Sequence, residues 1–577
     1  MLSNNERKEG RYLAKTTLIL NNFLYNAGML GFYRVLEQMG QDPEINGNTF
    51  SFELEAINQN FAENYIKVAL DSFAADTWLF RNIINKNLVP IDNDDKQAIK
   101  DAQKKLNDQL SRFAKSRSYL SAYTVLQRLG IDVDIVGRAE DIRKEKDYQT
   151  QIIMFTAFKQ LFDDPQVRRE IVFKDIAYNQ INAFWQNKAF LSNQEKTKEG
   201  YSFREIPCEQ AFQIAFVQQL EGAPATKNGV SCIECGMPNI KKDIAMGWIN
   251  DVGIDTTPAR KGSYFWNFVP DTFLCPLCAL IYACAPLGFT MVGREGFFIN
   301  CSENFDILQK NNTSVRNLRL GDIRVMQNKG LQSLVNEMTL LMDQQKVEKE
   351  IDNIQVIQRY SVGDNPRYIF NVISRNKLLS MKQKKFGNAI EKLSKAFYQL
   401  AGSKTTIYLY DVCMDNYFSG QNQYQIIHSI LYDSIAANKH AWFLWHILTM
   451  QVYGKGGNKM AEHNYSQCIS AMMYGKELRK YLAEDADNKL RGYIYKLLNS
   501  LKTKNINDFL DVVLRMYVGM GREVPRVMIN AFKDEETFLN LGYAYLMGLK
   551  GLDDKKTPQG SDSDVTVADN KNEEVAK

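Results

Sequence analysis

Hydrophobic and polar positions alternate along the chain with two different periods, and these periods predict which segments are strands and which are helices. In "NTFSFEL" the apolar residues Phe50, Phe52 and Leu54 occupy every second position, which predicts a short strand with one buried face. Residues 97–130 and 148–190 show helical spacing, and the first of these segments has a basic face. The N-terminal region is therefore expected to mix helices with strands.

A glycine-containing apolar segment lies close to the N-terminus. Residues 16–40, "TTLILNNFLYNAGMLGFYRVLEQMG", have helical apolar spacing on both sides of an Asn-Ala-Gly centre. Glycine weakens a helix interior and permits tight turns. The segment is therefore predicted to form two helical pieces with a break near Gly28 and Gly31.

The second half of the chain changes from strand-like to helical spacing. "IQVIQRYSV", "RYIFNVI" and "TTIYLYDVC" predict three strands, with a basic helix between the last two. After about residue 420, apolar stripes in "KLRGYIYKLLNSL", "INDFLDVVLRMYVG" and "DEETFLNLGYAYLMGLKG" predict an antiparallel helical bundle. Asp534 is expected to cap the last helix and Gly551 to end it.

Composition is that of a soluble globular protein, with 45% hydrophobic and 24% charged residues. The first residues are polar and lack the apolar stretch of a signal peptide, so we expect a cytoplasmic protein. Its nine cysteines are then expected to be thiols or metal ligands rather than disulfides. The formal net charge is +4, but seven acids face four bases from Gly551 onward, so the preceding residues carry about +7.

Two Cys-x-x-Cys pairs carry the most specific chemistry in the sequence. Cys232 and Cys235 lie in "CIECG", and Cys275 and Cys278 follow in "CPLC" after 39 intervening residues. Two residues between cysteines let both thiolates of one turn face the same ion, and two pairs form the tetrahedral thiolate site that suits zinc. No position remains for water, which predicts a structural ion. A redox pair and unrelated buried cysteines are the alternatives.

The uncharged run from Cys275 to Gly293 is nearly long enough to cross a membrane. Prolines and a glycine interrupt this run, and its first residues belong to the cysteine turn. We interpret residues 279–285 as one short buried helix that ends at Pro286. No membrane span is expected.

Recognisable catalytic motifs are absent from the sequence. None of the four histidines lies in His-Glu-x-x-His or precedes an aspartate, and Gly-x-Ser-x-Gly does not occur. This favours a binding protein over an enzyme. A metal-dependent nuclease with an unrecognised carboxylate site remains one alternative, and an assembly scaffold that does not bind DNA is another.

Three basic segments predict contact with nucleic acid. "TTPARKGSYFWNF" joins cations for phosphates to aromatic rings for stacking, although a core role is the alternative for the rings. "SRNKLLSMKQKKFGNAIEKLSK" has seven bases and one acid, and "KKLNDQLSRFAKSRSY" is also basic; a solvated face is the alternative for both. The candidate nucleic-acid-binding residues are Arg260, Lys261, Tyr264, Trp266, Lys382, Lys384, Lys385, Lys104, Lys105 and Arg112.

Several of these segments together resemble a known family. "NAGMLGFYRVLE", "FLCPLCALIYACAPLGFT" and the C-terminal "RGYIYKLLNSL", "NDFLDVVLRMY" and "FLNLGYAYLMGLKG" are similar to the large subunit of type I-B CRISPR surveillance complexes (Cascade). The resemblance covers nearly all of residues 16–551. It implies that Asn26, Gly28 and Gly31 belong to the family's N-terminal signature and that the four cysteines are its metal-binding pairs.

The resemblance also implies a function and a set of partners. Such a subunit is not an enzyme; it contacts guide RNA, recognises the target-flanking motif (PAM), stabilises the R-loop and presents it to a helicase-nuclease in antiviral defence. In RNA-guided systems the guide reads the sequence, while protein reads the flanking motif and the backbone shape. The implied partners are guide RNA, double-stranded target DNA, the displaced single strand, other Cascade subunits and the helicase-nuclease. In related systems the C-terminal bundle is also made separately, for which Met450 and Met460 are suitably placed.

The predicted fold class is α+β: a mixed α/β N-terminal region with an embedded four-cysteine zinc module, followed by a C-terminal α-helical bundle. A chain of 577 residues is too long for one core at about 150 residues per domain. The predicted domains are a mixed α/β domain (1–221), the zinc module (222–300), a mixed α/β continuation (301–419), the bundle (420–551) and a disordered acidic tail (552–577).

Overall fold

The structure is a computed structural model that describes most of the chain. The described residues are 15–57, 60–92, 94–131, 133–221, 226, 229–249, 272–292, 295–316, 354–362, 365–401, 406–454, 459–483 and 487–551. The chain forms two compact units, Met1–Ile323 with Gln355–Phe370, and Arg324–Ile354 with Asn371–Lys577. The α+β class is confirmed, and the segment predicted to be a disordered tail lies outside the described residues.

Small sheets accompany the helices of the first unit. Strands β1 (Lys15–Ile19), β2 (Glu44–Asn46) and β3 (Thr49–Glu53) pair antiparallel in the order β1–β3–β2. The strand predicted from "NTFSFEL" is β3, and its Phe50 and Phe52 are buried as the alternation requires. A four-stranded sheet has the order β4–β5–β6–β7, formed by β4 (Thr290–Val292), β5 (Glu295–Cys301), β6 (Ile354–Val362) and β7 (Asn365–Ile373).

Helices make up most of the first unit and include those predicted in residues 97–130 and 148–190. In chain order they are α1 (Phe23–Gln38), α2 (Phe61–Phe73), α3 (Lys96–Lys115), α4 (Arg117–Arg128), α5 (Ile135–Lys144), α6 (Tyr148–Lys159), α7 (Pro165–Asn179), α8 (Cys208–Phe212), α9 (Gln218–Glu221), α10 (Pro276–Ala283), α11 (Ala285–Gly288) and α12 (Phe305–Arg316).

Helix α1 lies at the centre of this unit, because all of its residues from Leu24 to Leu36 are buried. The Asn22 side chain caps its start by accepting a hydrogen bond from the Tyr25 amide at 2.9 Å. The predicted break near Gly28 and Gly31 is wrong, since α1 continues through both glycines. Burial on every side offsets the cost of about 1 kcal/mol that each glycine imposes on a helix interior.

The two glycines of α1 allow a close backbone approach rather than a turn. A Cβ atom on Gly28 would lie 2.3 Å from the Ile281 carbonyl oxygen, and one on Gly31 would lie 2.0 Å from the Cys284 carbonyl oxygen. Atoms at such distances overlap, so only glycine fits at either position. Helix α1 therefore packs directly on α10 and on the residue that follows it.

The second unit is mainly helical. Its helices are α13 (Arg375–Lys382), α14 (Lys384–Ser394), α15 (Leu409–Ser419), α16 (Tyr424–Ala436), α17 (Leu444–Tyr453), α18 (Lys459–Ala483), α19 (Asp487–Lys502), α20 (Ile506–Val518) and α21 (Glu535–Lys550), and its short strands are β8 (Phe397–Gln399) and β9 (Thr406–Tyr408). The Asp534 side chain accepts from the Thr537 amide at 2.7 Å, and Gly551 adopts φ +76°, which confirms both predicted caps.

Two local predictions for this half of the chain need correction. The segment "TTIYLYDVC" was expected to be one strand, but β9 ends at Tyr408 and α15 begins at Leu409. Burial of Leu409, Tyr410 and Cys413 on one helical face explains this switch, since aromatic and aliphatic residues suit either element. The predicted basic helix is in fact two helices, α13 and α14.

The glycine contacts of α1 lead to a stability prediction. Gly31→Ala should lower the free energy of unfolding by about 1–3 kcal/mol or more, because the new methyl group would overlap the Cys284 carbonyl. The matched control is Gly492→Ala in α19, where nothing lies within 4 Å of the added carbon. That change should be neutral or stabilising by up to about 1 kcal/mol. Thermal denaturation of both variants provides the comparison, and equal midpoints would contradict the close packing of α1.

Candidate metal centre

The four cysteines of the two predicted pairs lie together. The Sγ atoms of Cys232, Cys235, Cys275 and Cys278 are all within 4.8 Å of one another, and those of Cys235 and Cys275 are 3.7 Å apart. A tetrahedron of sulfurs about 2.3 Å from a central ion has edges of roughly 3.8 Å. The cluster therefore has the donor type and the spacing to hold one four-coordinate metal ion.

The first cysteine turn, residues 232–237, is shaped by backbone hydrogen bonds. The Cys232 amide donates to the Met237 carbonyl, and the Gly236 amide donates to the Cys232 carbonyl, both at 2.9 Å. Gly236 has φ +72°, a left-handed conformation that glycine adopts without strain. The turn therefore directs both of its cysteines towards the second pair.

The second pair lies at the start of α10. The Cys275 sulfur caps this helix by accepting from the Cys278 amide at 3.5 Å, while the Cys275 amide donates to the Cys232 sulfur at 3.3 Å. Backbone donors and the positive end of a helix favour thiolate over thiol. Both effects prepare the sulfurs to bind a cation.

The charges of the four sulfurs depend on one another. Hydrogen bonds from the neighbouring thiols lower the pKa of Cys232, whereas hydrogen bonding to Cys232 raises the pKa of both Cys275 and Cys278. The chain alone thus favours a thiolate at Cys232 and thiols at Cys275 and Cys278, because negative sulfurs so close together repel each other. A divalent cation reverses this balance and lets all four ionise.

Backbone pairing joins segments that are distant in the sequence. The Ile233 amide donates to the Phe273 carbonyl at 3.0 Å, and the Leu274 amide donates to the Ile244 carbonyl at 2.9 Å. The Met246 amide donates to the Thr272 carbonyl, also at 2.9 Å. These bonds bring the two cysteine turns together across the intervening residues.

Glu234, inside the first cysteine turn, attaches that turn to the start of α1. Its carboxylate accepts hydrogen bonds from Asn21 Nδ2 at 2.7 Å, from Asn22 Nδ2 at 3.2 Å and from the Tyr282 hydroxyl at 2.6 Å. Burial raises the pKa of Glu234. Sequence analysis missed this residue because its asparagine partners lie more than 200 positions away.

Asn26, which the resemblance assigns to an N-terminal signature, is fully buried next to this site. Its Oδ1 accepts from the Asn21 amide at 2.7 Å, and its Nδ2 donates to Asn300 Oδ1 at 2.8 Å. One residue away, the Tyr25 hydroxyl lies 3.8 Å from the Cys278 sulfur. The signature therefore connects α1, the cysteine site and strand β5, with Gly28 and Gly31 providing the close packing.

The helix that carries the second cysteine pair differs in its bounds from the prediction. Helix α10 begins at Pro276 and ends at Ala283, and Pro286 lies within the following turn, α11. Proline is favoured in the first turn of a helix, where its missing N–H costs nothing, and Pro276 and Pro286 both lie there. The predicted burial of this helix is confirmed, and none of the described helices has the length and apolar character to cross a membrane.

The basic and aromatic loop between the cysteine pairs lies outside the described residues. This applies to Arg260, Lys261, Tyr264 and Trp266.

The basic residues predicted on α3 are exposed on that helix. The guanidinium of Arg112 lies 4.4 Å from the centre of the Trp78 ring, which fixes its position. Lys104 and Lys105 are both exposed. The charge of Lys105 is close enough to Lys86 to lower the pKa of the Lys86 amine.

The lysines predicted in the second unit have different surroundings. Lys382 and Lys384 are exposed. The Lys385 amine forms an ion pair with Glu462 at 2.8 Å and lies 4.5 Å from the centre of the Tyr465 ring. The Lys385 amine is therefore already paired within the chain, although the sequence predicted the same nucleic-acid contact for it as for Lys382 and Lys384.

The cluster predicts a direct metal measurement. Cys275→Ser and Cys278→Ser should each lose the bound ion and unfold at a lower temperature, since structural metal sites link on the order of 10 kcal/mol of binding to folding. Cys413→Ser, which changes a buried cysteine away from the cluster, is the control and should keep the metal. Metal analysis of the purified variants and their thermal midpoints test this, and unchanged metal content in the first two would refute the ligand assignment.

Comparison with known proteins places this segment in a family. Residues 225–290 match a family model described as CRISPR-associated protein (Cas_CXXC_CXXC), and the matched range contains all four cysteines. No curated protein and no solved structure was found to match the chain. The matched segment indicates similarity to CRISPR-associated proteins, and its two Cys-x-x-Cys pairs converge on one point.

Proposed function

We propose that this chain is the large subunit of a type I-B CRISPR surveillance complex (Cascade). In this role it is a non-catalytic, cytoplasmic protein that contacts guide RNA and target DNA and recognises the flanking motif. It also stabilises the R-loop and presents it to a helicase-nuclease. Base pairing with the guide selects the target sequence, which leaves the protein to recognise a short duplex motif and the phosphate backbone.

The observation that carries the proposal is the packing of the family-matched cysteine segment against α1. The two segments that most resemble the large subunit, around Gly28 and around Cys275, contact each other through Gly28 and Ile281, Tyr25 and Cys278, and Asn22 and Tyr282. Segments separated by about 250 residues thus form one structural feature. This supports a resemblance that extends beyond the cysteines to the N-terminal region.

We propose zinc as the ion of the cysteine cluster. Four thiolates form a soft, tetrahedral donor set that selects zinc over the oxygen-preferring magnesium and calcium. When bound, zinc would supply a structural cross-link, since four sulfurs leave no coordination position for substrate or water. The residues that would hold it are Cys232, Cys235, Cys275 and Cys278.

The charge distribution within each unit supports a binding role. Exposed lysines on α3 and on α13 and α14 offer ammonium groups to phosphates, and phosphate contacts supply most of the sequence-independent affinity for nucleic acid. The basic pair Arg260 and Lys261 lies in the segment between the cysteine pairs. We propose that this segment contacts the flanking-motif duplex.

The proposed assembly predicts specific co-purifying partners. The tagged chain, isolated from cells that express the complete CRISPR locus, should bring down repeat-derived RNA and the backbone subunits. Cys275→Ser should reduce the recovered complex, because the cysteine segment supports α1. Sequencing the RNA and identifying the proteins by mass spectrometry test this, and recovery of the folded chain without either partner would contradict the assignment.

The cysteine-module loop predicts a separation of binding functions. Arg260→Ala/Lys261→Ala should weaken binding of a flanking-motif duplex by roughly tenfold or more. Each lost phosphate contact should also lower the slope of log affinity against log salt concentration by about one. Assembly with guide RNA should be unaffected. Parallel binding measurements on the assembled complex test this, and equal loss of both activities, or of neither, would locate recognition elsewhere.

The rival nuclease hypothesis has a direct test. The purified chain is incubated with magnesium or manganese and with single- or double-stranded DNA and RNA. We expect no cleavage. Cleavage that one carboxylate substitution abolishes would overturn the binding-only role.

A further inference from the structure

A cluster of three lysines in the first unit comes from three separate segments. Lys86 follows the helical turn Phe80–Ile84, and its amine donates a hydrogen bond to Gln109 Oε1 on α3. Lys159, in the last turn of α6, donates from its amine to the Lys86 carbonyl at 2.8 Å and to Asn87 Oδ1 at 3.1 Å. Lys105 lies one turn before Gln109 on α3 and completes the cluster.

None of these three lysines forms an ion pair with a carboxylate among the described residues, although Asp101 and Asp108 lie one turn before and after Lys105 on α3. The amines of Lys86 and Lys159 donate to amide and carbonyl oxygens, and the amine of Lys105 makes no hydrogen bond or ion pair with a described residue. Burial lowers the pKa of Lys86, and repulsion from Lys105 lowers it further. An anion bound between Lys86 and Lys105 would relieve this repulsion.

Other lysines of the same unit lie next to carboxylates. Lys67 pairs with Glu63 at 2.9 Å, and Lys144 lies 4.0 Å from Asp141. Lys188 also pairs with a carboxylate, that of Glu195. The lysine cluster therefore differs from the ordinary solvated pairs around it.

The geometry of α3 favours an extended anion over a single small one. Arg112 lies seven residues after Lys105, two helical turns and about 10 Å along the same face. The Trp78 ring holds the Arg112 guanidinium, so this charge is positioned in advance. A second cationic group about 10 Å from the fixed Arg112 guanidinium suits two phosphates of an extended polynucleotide, while a lone phosphate would occupy only one of these positions.

We propose that Lys86, Lys105 and Lys159, with Arg112 beyond them, form a binding site for the phosphate backbone of a nucleic acid. The inference rests on the proposed function and adds to it the site in the first unit that holds the strand. Ammonium groups recognise phosphate as point charges, so the site reads position along a backbone and carries no base specificity. RNA and DNA share this chemistry, and the measurement distinguishes them.

The test uses the full chain in its assembled complex. Binding to a labelled single-stranded DNA, a flanking-motif duplex and guide RNA is measured by anisotropy between 50 and 300 mM salt, roughly the range in which phosphate contacts dominate. The variants are Lys105→Gln and Lys86→Gln/Lys105→Gln/Lys159→Gln. Lys144→Gln removes the same charge from an exposed lysine outside the cluster and serves as the control.

For one of the three ligands, Lys105→Gln should reduce the slope of log affinity against log salt by about one, and the triple variant by about three. At 0.1 M salt this corresponds to a loss of roughly fivefold to tenfold per lysine. The ligand that loses affinity identifies the bound strand, and the control should match the wild type. Because the Lys105 side chain is exposed and its amine makes no hydrogen bond or ion pair with a described residue, its variant keeps the test valid if the triple variant fails to fold.

Two outcomes distinguish a failure of this lysine site from a failure of the proposed function. A wild-type complex that binds nucleic acid in a salt-dependent manner, with unchanged slopes in Lys105→Gln and in the triple variant, overturns this site and leaves the proposed function intact. A wild-type complex with no salt-dependent binding to any of the three ligands overturns the proposed function itself.

Discussion

The close crossing of α1 over α10 is the contact on which the candidate site depends. At Gly28 and Gly31 the two backbones approach so closely that a single added carbon would overlap a carbonyl oxygen. Because α10 begins at the second cysteine pair, this crossing also determines where two of the four sulfurs lie. A shift of either helix would therefore displace the metal ligands as well as the core.

The metal cluster and the helix crossing reinforce each other through polar contacts. Glu234 of the first cysteine turn accepts hydrogen bonds from residues at the start of α1, and it also accepts one from Tyr282 on α10. These hydrogen bonds to a half-buried carboxylate favour the observed arrangement of the three segments. The site is thus a junction of three chain segments, and a bound ion would join the two cysteine turns more firmly.

The position of a lysine in a basic or non-basic segment of the sequence does not show whether its amine forms an ion pair in the fold. Lys385 lies in the most basic segment, yet Glu462 and two tyrosine rings hold its amine. Lys86 and Lys159 belong to no basic run, yet their amines donate to amide and carbonyl oxygens, and Lys86 lies within electrostatic reach of Lys105. Local density of lysines is therefore a poor guide to free positive charge, because ion pairing depends on which helices become neighbours.

Local sequence patterns were enough to predict the fold class, the strand β3, the helices of the C-terminal region with their caps, and the four cysteines as one group. These features depend on local periodicity, capping chemistry and the spacing of ligands within a turn, all of which act over a few residues. Only the tertiary structure decided that Gly28 and Gly31 permit a helix crossing instead of a break, that Glu234 attaches the cysteine turn to α1, and which lysines are neutralised. Those outcomes depend on contacts between residues tens to hundreds of positions apart, which no local pattern encodes.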